Sequence, residues 1–411
     1  MFLGATGDVE ASTSACAACL PAIDGSDLVQ KARHRFAPYL IDGSGRPLDF
    51  DWLDNIGRDG PAHNVQRERE SAPVSVIWLA TGACTRACPY CFYQSGLTAH
   101  KPMPRNEEVR LPGLLARRMV AEMAQCGAAD LYLTGGEPLL RSDLPDVIAA
   151  ASKVGVRTHL ATRYPIDTPL ADRLADAGLT DVTFSLDSAR EIEANALSGC
   201  RGFLGEAVDA IQALRQAGIP VAINAVATRV NTSSLEGLAA LAIELGATQL
   251  TISLLATPPS AKSSFRNLTI NERAVRQAVD TLKARHDGRL NVAIEAPASV
   301  TARGTDRPIC DSGWRDLHVL PDGRVTLCRY LPDCEDLIVG CIQDQSLMDI
   351  WTGERLDRMV RGPREDYAHS ECGQCGAFDA CRQRGHCFFT SLSLFGDPRA
   401  PDAFCQQRHM S

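Results

Sequence analysis

The sequence predicts an α/β fold followed by a cysteine-rich C-terminal domain. Apolar runs of strand length alternate with helical stretches from residue 75 to about residue 300, and beyond that point the alternation stops and cysteine becomes frequent. Alternating strands and helices joined by short loops imply parallel strands with right-handed crossovers. We therefore expect an N-terminal extension over 1–74, an α/β core over 75–300 and a C-terminal domain over 301–411.

The core contains a regular series of predicted strands, each followed by a predicted helix. The strands are predicted at 75–83, 129–134, 155–161, 181–186, 219–227 and 248–255. The helices are predicted near 109–126, 143–153, 168–177, 202–217, 232–245 and 270–287. Short apolar runs rich in β-branched residues are typical of parallel strands that are buried on both faces. The series falls short of the eight repeats that close a complete barrel.

The composition excludes several classes of protein. Hydrophobic residues make up 45% of the 411-residue chain and charged residues 22%, which is the ordinary balance of a folded globular protein. The net charge of −8, without a basic block to offset it, argues against a nucleic-acid-binding protein. No apolar run reaches the roughly 18 residues of a membrane span, and the first residues lack the regions of a secretory signal.

Cysteine is unusually frequent in this chain. There are 16 cysteines, and nine of them lie between Cys310 and Cys405. Without an export signal, such spacings indicate metal ligands rather than disulfides, and they favour a reducing cytoplasm. Cys126 and Cys200 stand apart from the other cysteines, and we interpret them as structural thiols. The Cys16-x2-Cys19 pair in the N-terminal extension has no second pair nearby and is a weak metal-site signal.

Three cysteines with the spacing C-x3-C-x2-C follow the first predicted strand. They are Cys84, Cys88 and Cys91, and Phe92 comes directly after them. Three thiolates on one short loop can hold a [4Fe–4S] cube by three corners and leave the fourth iron open. Structural cubes and structural zinc sites are usually closed by four protein ligands, so an open corner suggests catalysis. The spacing alone leaves a zinc site open as an alternative.

A second motif follows the second predicted strand. It is Gly135-Gly136-Glu137-Pro138. The glycines let the backbone approach a ligand closely, Glu137 offers an acceptor to an ammonium group, and Pro138 stiffens the exit from the turn. Both motifs lie at the C-terminal ends of strands, where the active sites of α/β barrels are built.

The two motifs, in this order, resemble those of the radical S-adenosylmethionine (SAM) superfamily. The resemblance implies an open (β/α)6 partial TIM barrel in which Cys84, Cys88 and Cys91 hold the catalytic cube. It also implies that Phe92 lies at the cofactor and that Gly135 to Pro138 bind the amino group of the methionine part of SAM. Polar residues at later strand ends are implied to contact its ribose, carboxylate and adenine, although each could instead be a strand-end cap: Ser185, Asp187, Asn224 and Ser253. Arg163 departs from the Thr-Asn-Gly turn common in the family and is left unassigned.

The C-terminal cysteines follow a predicted hairpin over 317–328, which would bring Cys310 and Cys328 together. Their arrangement is C-x12-G-x4-C, a gap, C-x2-C-x5-C-x5-C, a gap and a last C. It resembles the SPASM extension of radical SAM enzymes, except that x3 is usual where this chain has its second x5. Zinc is the alternative for the C-x2-C-x5-C stretch.

The SPASM resemblance implies two auxiliary [4Fe–4S] clusters, and therefore three cubes in all. The implied ligands of the outer cluster are Cys372, Cys375, Cys381 and Cys405, and those of the inner cluster are Cys310, Cys328 and Cys387. A fourth inner ligand is not evident before Cys310. Cys341 is our slight preference for it, Cys334 is the other candidate, and an inner cluster with an open corner is a further alternative.

The resemblance implies an oxidoreductase that reductively cleaves SAM to a 5′-deoxyadenosyl radical, which abstracts a substrate hydrogen. Our first hypothesis for the substrate is a ribosomally made precursor peptide that becomes crosslinked. Oxidation or epimerisation of a small molecule such as an antibiotic sugar is the alternative, and a multi-cluster electron-transfer protein is a remote one. Flavodoxin or ferredoxin is the expected electron donor. Arg329 occupies the position of a basic Asp in sulfatase-maturing relatives, which argues against that activity, and no general base is assigned.

Overall fold

The computed structural model describes residues 69–91, 110–255, 267–295, 310–331, 334–402 and 405. The N-terminal extension up to residue 68, Phe92 and most of the stretch between the sixth predicted strand and the last core helix lie outside the described residues. The expectations for those parts of the chain stay predictions.

In the described part of the chain, ten strands form one sheet in the order β10-β9-β8-β1-β2-β3-β4-β5-β6-β7. The strands are β1 (Ser75–Thr81), β2 (Asp130–Gly135), β3 (Arg157–Thr162), β4 (Asp181–Ser185), β5 (Val221–Ala227), β6 (Gln249–Leu254), β7 (Asn291–Glu295), β8 (Asp316–Val319), β9 (Arg324–Thr326) and β10 (Ile338–Cys341). From β1 to β7 every neighbouring pair is parallel, whereas β8, β9 and β10 form an antiparallel meander.

The described helices alternate with the strands of the core and then become short. They are α1 (Gly113–Cys126), α2 (Leu144–Lys153), α3 (Thr168–Asp176), α4 (Glu191–Ser198), α5 (Phe203–Gln216), α6 (Leu235–Glu244), α7 (Glu272–Arg285), α8 (Leu347–Trp351), α9 (Glu354–Arg361), α10 (Phe378–Arg384) and α11 (Phe388–Phe395). Apolar residues on alternate positions of the strands and on one face of each core helix share one buried core. None of these helices combines the length and the hydrophobicity needed to cross a bilayer.

The structure confirms the predicted α/β class and adds two core elements. All six predicted strands are present with ends shifted by a few residues, and β7 is a seventh parallel strand beside β6. Helix α4 was also not predicted, because EIEANALS carries few apolar residues at helical spacing. It ends at Gly199, whose φ of 66° gives the left-handed cap that glycine adopts without strain.

The C-terminal hairpin extends the core sheet rather than standing apart from it. Strand β8 pairs in parallel with β1, with Ser75 opposite Asp316 and Trp78 opposite Val319. The Ser75 hydroxyl donates to Asp316 Oδ1 at 2.6 Å. The hairpin predicted over 317–328 is therefore present as β8 and β9, and its position beside β1 fixes the C-terminal cysteines relative to the core.

The sheet curls so that its two edges face each other. Glu295 ends β7 at one edge, and Arg329 follows β9 near the other edge, yet the Glu295 carboxylate is close enough to raise the pKa of the Arg329 guanidinium. In a flat sheet eight strand spacings would separate β7 from β9 by about 38 Å. The sheet is therefore an open barrel, with the strand ends of the core directed toward the C-terminal domain.

Candidate active site and cysteine clusters

The three core cysteines lie on the loop that follows β1, as the sequence predicts. Burial raises the pKa of the Cys88 thiol to about 12; the Arg163 guanidinium opposes this rise, and Cys84 and Cys91 add to it. Thiols that raise one another's pKa lie close together, so the loop gathers its sulfur atoms into one group. All three side chains are partly exposed, and burial is nevertheless the largest cause of the raised pKa of the Cys84 and Cys88 thiols.

The glycine motif is hydrogen-bonded to the end of β1 and to Ala83, the residue before Cys84. The Gly136 N–H donates to the Thr81 carbonyl at 2.7 Å, and the Glu137 N–H donates to the Ala83 carbonyl at 2.7 Å. A Cβ atom at Gly136 would lie 2.2 Å from the Ala83 carbonyl oxygen, so no larger residue fits at this position. Gly135 has a φ of 126°, which also requires glycine. The two motifs are therefore one structural unit.

Glu137 holds the turn after β2 against the end of β3. Its side chain is 2% exposed, and it accepts hydrogen bonds from the Thr162 hydroxyl at 2.7 Å, the Leu139 N–H at 3.2 Å and the Arg163 N–H at 3.3 Å. Burial raises the pKa of this carboxyl, and the three donors oppose the rise. Pro138 starts the short 3-10 helix Pro138–Leu140 directly after it. An ammonium group at Glu137, as the sequence predicts, would be an additional donor.

Arg163 is the centre of a buried polar network that the sequence analysis left unassigned. Its guanidinium donates to Cys88 Sγ at 3.2 Å and to Tyr90 Oη at 2.7 Å, and it lies 3.4 Å from Asp187 Oδ2. Tyr90 donates to the same Asp187 oxygen at 2.5 Å, and Asp187 also accepts the Val226 N–H at 2.9 Å. The predicted site residue Asp187 thus connects β4 and β5 to the cysteine loop.

The other predicted strand-end residues lie side by side at the C-terminal ends of the neighbouring strands β4, β5 and β6. Ser185 pairs with Asn224 across β4 and β5. The Ser253 hydroxyl lies 2.7 Å from Asn224 Oδ1 and 3.0 Å from Glu295 Oε2, so it donates to one of these two acceptors. Glu295 was missed because the core was expected to end with the sixth strand. The charged residue that closes the apolar run NVAIE was the available signal.

The predicted inner cysteines come together between the hairpin and α11. Burial is the largest cause of the raised pKa of both Cys328 and Cys387. Neighbouring thiols add to it, since Cys387 and Cys310 raise the pKa of Cys328 and Cys310 raises that of Cys387. Cys310 acts on both of them and has a raised pKa of its own. Arg329 opposes the rise at Cys310 and Cys328. The hairpin therefore does what the sequence predicts for Cys310 and Cys328, and the start of α11 adds Cys387.

The register of β9 and β10 separates Cys341 from this group. Ile338 pairs with Thr326, and Cys341 pairs with Arg324 at the far end of the ladder. Cys341 is therefore opposite Arg324, which precedes Cys328 by four residues along the chain. That separation is about 13 Å at the usual rise of a strand.

Cys334 lies instead at the same end of the hairpin as Cys328. The Leu331 N–H donates to the Cys328 carbonyl at 3.0 Å, and the Cys334 N–H donates to the Leu331 carbonyl at 3.1 Å. The chain then returns to the sheet, where the Leu327 N–H donates to the Leu337 carbonyl at 3.0 Å. Cys334 therefore lies at this end of the hairpin, where the charges that act on its thiol are those of Asp336 and Glu335.

The outer cysteines lie on the short elements at the end of the chain. Cys372 and Cys375 share one turn, in which the Cys375 N–H donates to the Cys372 carbonyl at 3.1 Å, and Cys381 lies in α10. The Cys405 N–H donates to the Asp402 carbonyl at 3.2 Å, and the Asp402 side chain accepts the Cys387 N–H at 3.1 Å. Asp402 thus joins the segment of Cys405 to the inner group.

These groups of cysteines fit iron–sulfur clusters by their chemistry. Thiolate sulfur is the donor that such clusters require. Buried polar atoms near the thiols have no partner among the described residues, namely Ser312 Oγ and His318 Nδ1 by the inner group and Tyr367 Oη beside Cys372. Within the same residues no three His, Cys, Asp or Glu side chains converge closely enough to hold a single metal ion.

Comparison with known families is consistent with this geometry. The family profile of the Radical SAM superfamily matches residues 78–242. The profile of SPASM, an iron–sulfur cluster-binding domain, matches residues 310–376. The first match covers the cysteine loop and the glycine motif, and the second covers the hairpin and the first two outer cysteines.

The chain is also similar to individual proteins over most of its length. It is 29% identical to a PqqA peptide cyclase of Ruegeria pomeroyi over 360 residues, which is 86% of this chain and 91% of that protein. The structure of Streptococcus suis SuiB bound to S-adenosylmethionine superposes with a TM-score of 0.64 at 18% identity, covering 82% of this chain and 78% of SuiB. SuiB bound to its precursor peptide SuiA gives 0.64 at 17% identity, covering 87% and 79%.

Proposed function

We propose that this chain, which belongs to the radical SAM superfamily and carries a C-terminal SPASM domain, crosslinks side chains of a ribosomally made precursor peptide. The observation that carries the proposal is the Arg163 network, in which one guanidinium joins Cys88, Tyr90 and Asp187 at the strand ends of the barrel. It unites the cysteine loop with the strand-end residues in one desolvated site.

The peptide substrate is supported by the relatives. The Ruegeria pomeroyi protein is named for cyclisation of the peptide PqqA, and SuiB has been solved with a precursor peptide bound. The alignment with the Ruegeria protein covers 86% of this chain and therefore extends over both the barrel and the cysteine-rich region. We therefore assign the substrate class to peptides in preference to small molecules.

The bound cofactors would supply a radical that removes a hydrogen atom from the substrate. Cys84, Cys88 and Cys91 would hold the catalytic cube, and the glycine motif would receive the methionine end of SAM. The strand-end residues Ser185, Asp187, Asn224 and Ser253, with Phe92, would hold the rest of the nucleoside. A reactive species at this site must be protected from water and side reactions, which is the task that the surrounding barrel would perform.

We propose Cys334 as the fourth inner ligand beside Cys310, Cys328 and Cys387. The two turns between Cys328 and Cys334 support this choice, and the strand register argues against Cys341. The outer ligands would be Cys372, Cys375, Cys381 and Cys405. Crosslinking leaves an electron to be removed from the product, and a cluster held by the inner cysteines would supply the acceptor.

Two further parts of the proposal concern the surroundings of the enzyme. A small electron-transfer protein such as flavodoxin or ferredoxin would reduce the catalytic cube. Cysteines with the spacing of cluster ligands suit a reducing, oxygen-poor compartment, which we take to be the cytoplasm. Arg329 is always protonated and cannot serve as the base that sulfatase-maturing enzymes use at this position.

The test is anaerobic reconstitution with iron and sulfide, followed by incubation with SAM, dithionite and a synthetic peptide from a short reading frame beside the gene. We expect about twelve iron atoms per chain, release of 5′-deoxyadenosine, and a peptide product lighter by two hydrogens. The Cys84→Ala variant is the control that should release no nucleoside. Release of nucleoside with an unchanged peptide, but with an oxidised sugar when sugars are supplied, would overturn the peptide assignment.

A further inference from the structure

The side chain of Arg163 makes a direct contact with a cysteine of the core loop. Its Nη1 atom donates to Cys88 Sγ at 3.2 Å, which is a normal distance for an N–H to sulfur hydrogen bond. Arg86 is the other arginine at this loop, and it provides a comparison. Its side chain pairs with Glu206 and donates to the Arg163 carbonyl at 3.4 Å, and its backbone N–H lies 3.4 Å from Cys84 Sγ.

The surrounding residues hold the Arg163 guanidinium against the sulfur. Tyr90 accepts from Nη2 at 2.7 Å, Asp187 lies 3.4 Å from Nη1, and the backbone N–H of Arg163 donates to Glu137. The Arg163 side chain is 12% exposed, so this arrangement is shielded from water. A guanidinium can satisfy several acceptors in one plane, which a lysine ammonium cannot do.

We propose that Arg163 is a positioning residue that raises the reduction potential of the catalytic cluster by its hydrogen bond to the Cys88 thiolate. The inference rests on the proposed function, because it requires a cluster on Cys84, Cys88 and Cys91. It assigns a task to a residue that departs from the turn usual in the family and that no resemblance explains.

The direction of the effect follows from charge. The reduced cluster carries one more negative charge than the oxidised cluster, so a nearby cation and a donor to sulfur stabilise the reduced form more strongly. Hydrogen bonds to the sulfurs, net charge and solvent exposure are the factors by which a protein sets the potential of an iron–sulfur cluster. Low dielectric at the buried site increases the size of the charge effect.

The experiment is an EPR-monitored redox titration of the reconstituted full-length protein without SAM. The catalytic cluster is identified in a parallel sample as the reduced signal that SAM alters. For Arg163→Gln we expect the ratio of reduced to oxidised catalytic cluster at a fixed solution potential to fall about tenfold, which is a shift of about 59 mV to more negative potential for one electron. Arg163→Lys, which keeps the charge, should shift less.

Arg86→Gln is the matched control. It removes a cation that also lies over the Phe203 ring, at 5.2 Å compared with 5.8 Å for Arg163, but it leaves the bond to Cys88 in place. Because this variant also removes a nearby positive charge, its potential should become more negative, but by less than that of Arg163→Gln. An unchanged potential in Arg163→Gln, or an equal shift in both variants, would overturn the inference.

Two further outcomes separate this inference from the proposed function. If the wild-type protein binds iron but shows no signal that SAM alters, the proposed function itself fails. If Arg163→Gln does not assemble its catalytic cluster, Tyr90→Phe replaces it, because it removes the hydroxyl that holds Nη2 and keeps the arginine. A wild-type potential in both Tyr90→Phe and Arg163→Lys would then contradict the role of the bond.

Discussion

The core and the C-terminal domain hold their cysteines in different ways. The core cysteines share one loop whose approach is hydrogen-bonded to the glycine motif and whose sulfur contacts Arg163. The C-terminal cysteines are spread from Cys310 to Cys405 over a hairpin, turns and short helices. The core cysteines are therefore positioned by the sheet and its hydrogen bonds, whereas we expect the position of the C-terminal cysteines to depend more strongly on the clusters that they bind.

The lengths of the elements support this contrast. Helices α1, α5 and α7 of the core each have 14 residues, whereas α8 has 5 and α10 has 7. Helices this short are not stable alone, because helix nucleation is costly. Metal binding contributes directly to folding when ligands come from such segments.

The largest expected effect is the loss of all SAM cleavage when a core cysteine is removed. Cys84→Ala leaves only two core thiolates and should abolish release of 5′-deoxyadenosine. Cys372→Ala should keep part of that release and stop peptide crosslinking, because it removes a proposed ligand of the outer cluster and leaves the core cysteines in place. Chromatography of the nucleoside and mass spectrometry of the peptide measure both. Equal loss of nucleoside in two folded variants would contradict the division between the two regions.

The glycine motif gives the next test. Gly136→Ala places a methyl group 2.2 Å from the Ala83 carbonyl oxygen, so the two motifs must move apart and cleavage should fall at least about tenfold. Gly205→Ala is the control, since a Cβ atom there meets nothing within 4 Å inside α5. It should raise the free energy of unfolding by about 0.5–1 kcal/mol and leave cleavage unchanged. Full activity in Gly136→Ala would show that the close approach is not required.

Removal of iron should loosen the C-terminal domain before the core. Hydrogen exchange of the chelated protein should show loss of protection over α10 and α11, with little change over β2 to β5, because the core strands are held by the sheet and by apolar packing. Peptides from the two regions are compared within one sample, so each serves as the control for the other. Uniform loss of protection along the chain would mean that both regions depend on metal alike.

Arg329 lies between the two regions and should affect product formation more than cleavage. Its guanidinium is coupled to Glu295 of β7 and to Cys328 of the inner group. Arg329→Gln should lower the crosslinked peptide by about tenfold, equivalent to about 1.4 kcal/mol, while release of the nucleoside changes by less than about twofold. Glu295→Gln is the companion variant. Proportional loss of both products would place Arg329 in SAM binding instead.

A further effect concerns the pH dependence of stability. Burial and the nearby Arg329 lower the pKa of His318 to about 3. Between about pH 6.5 and 3 the unfolded chain therefore binds a proton at this residue that the folded chain does not, and the free energy of unfolding falls as the pH drops. His318→Asn should weaken that dependence in urea titrations at pH 5 and 7.5.

His159 in the core should show the opposite sign. Hydrogen bonds from its ring to Asp181 at 2.8 Å and Asp130 at 2.9 Å outweigh its burial and raise its pKa. Its contribution is complete below about pH 6.5 and is lost as the pH rises through the folded pKa. His159→Gln should therefore cost more stability at pH 5 than at pH 7.5. The same sign for both histidines would contradict the assigned environments.

Much of this architecture could be predicted because strands and motifs are local features. The run before Cys84 and the glycines after β2 have signatures a few residues long, and both lie where expected. The direction of long side chains is not local. Arg163, Tyr90 and Asp187 come from three separate strand ends, and no spacing in the sequence states that they meet. The place of β8 beside β1 was hidden for the same reason, because pairing depends on distant residues.

The pairing of β8 with β1 has a consequence for synthesis of the chain. Ser75 and Asp316 are neighbours in the sheet but lie 241 residues apart in sequence. At usual rates of translation, β1 would leave the ribosome on the order of tens of seconds before its partner. During that interval its unpaired edge could recruit a foreign strand. We expect the nascent chain to need chaperone protection until about residue 319 has emerged.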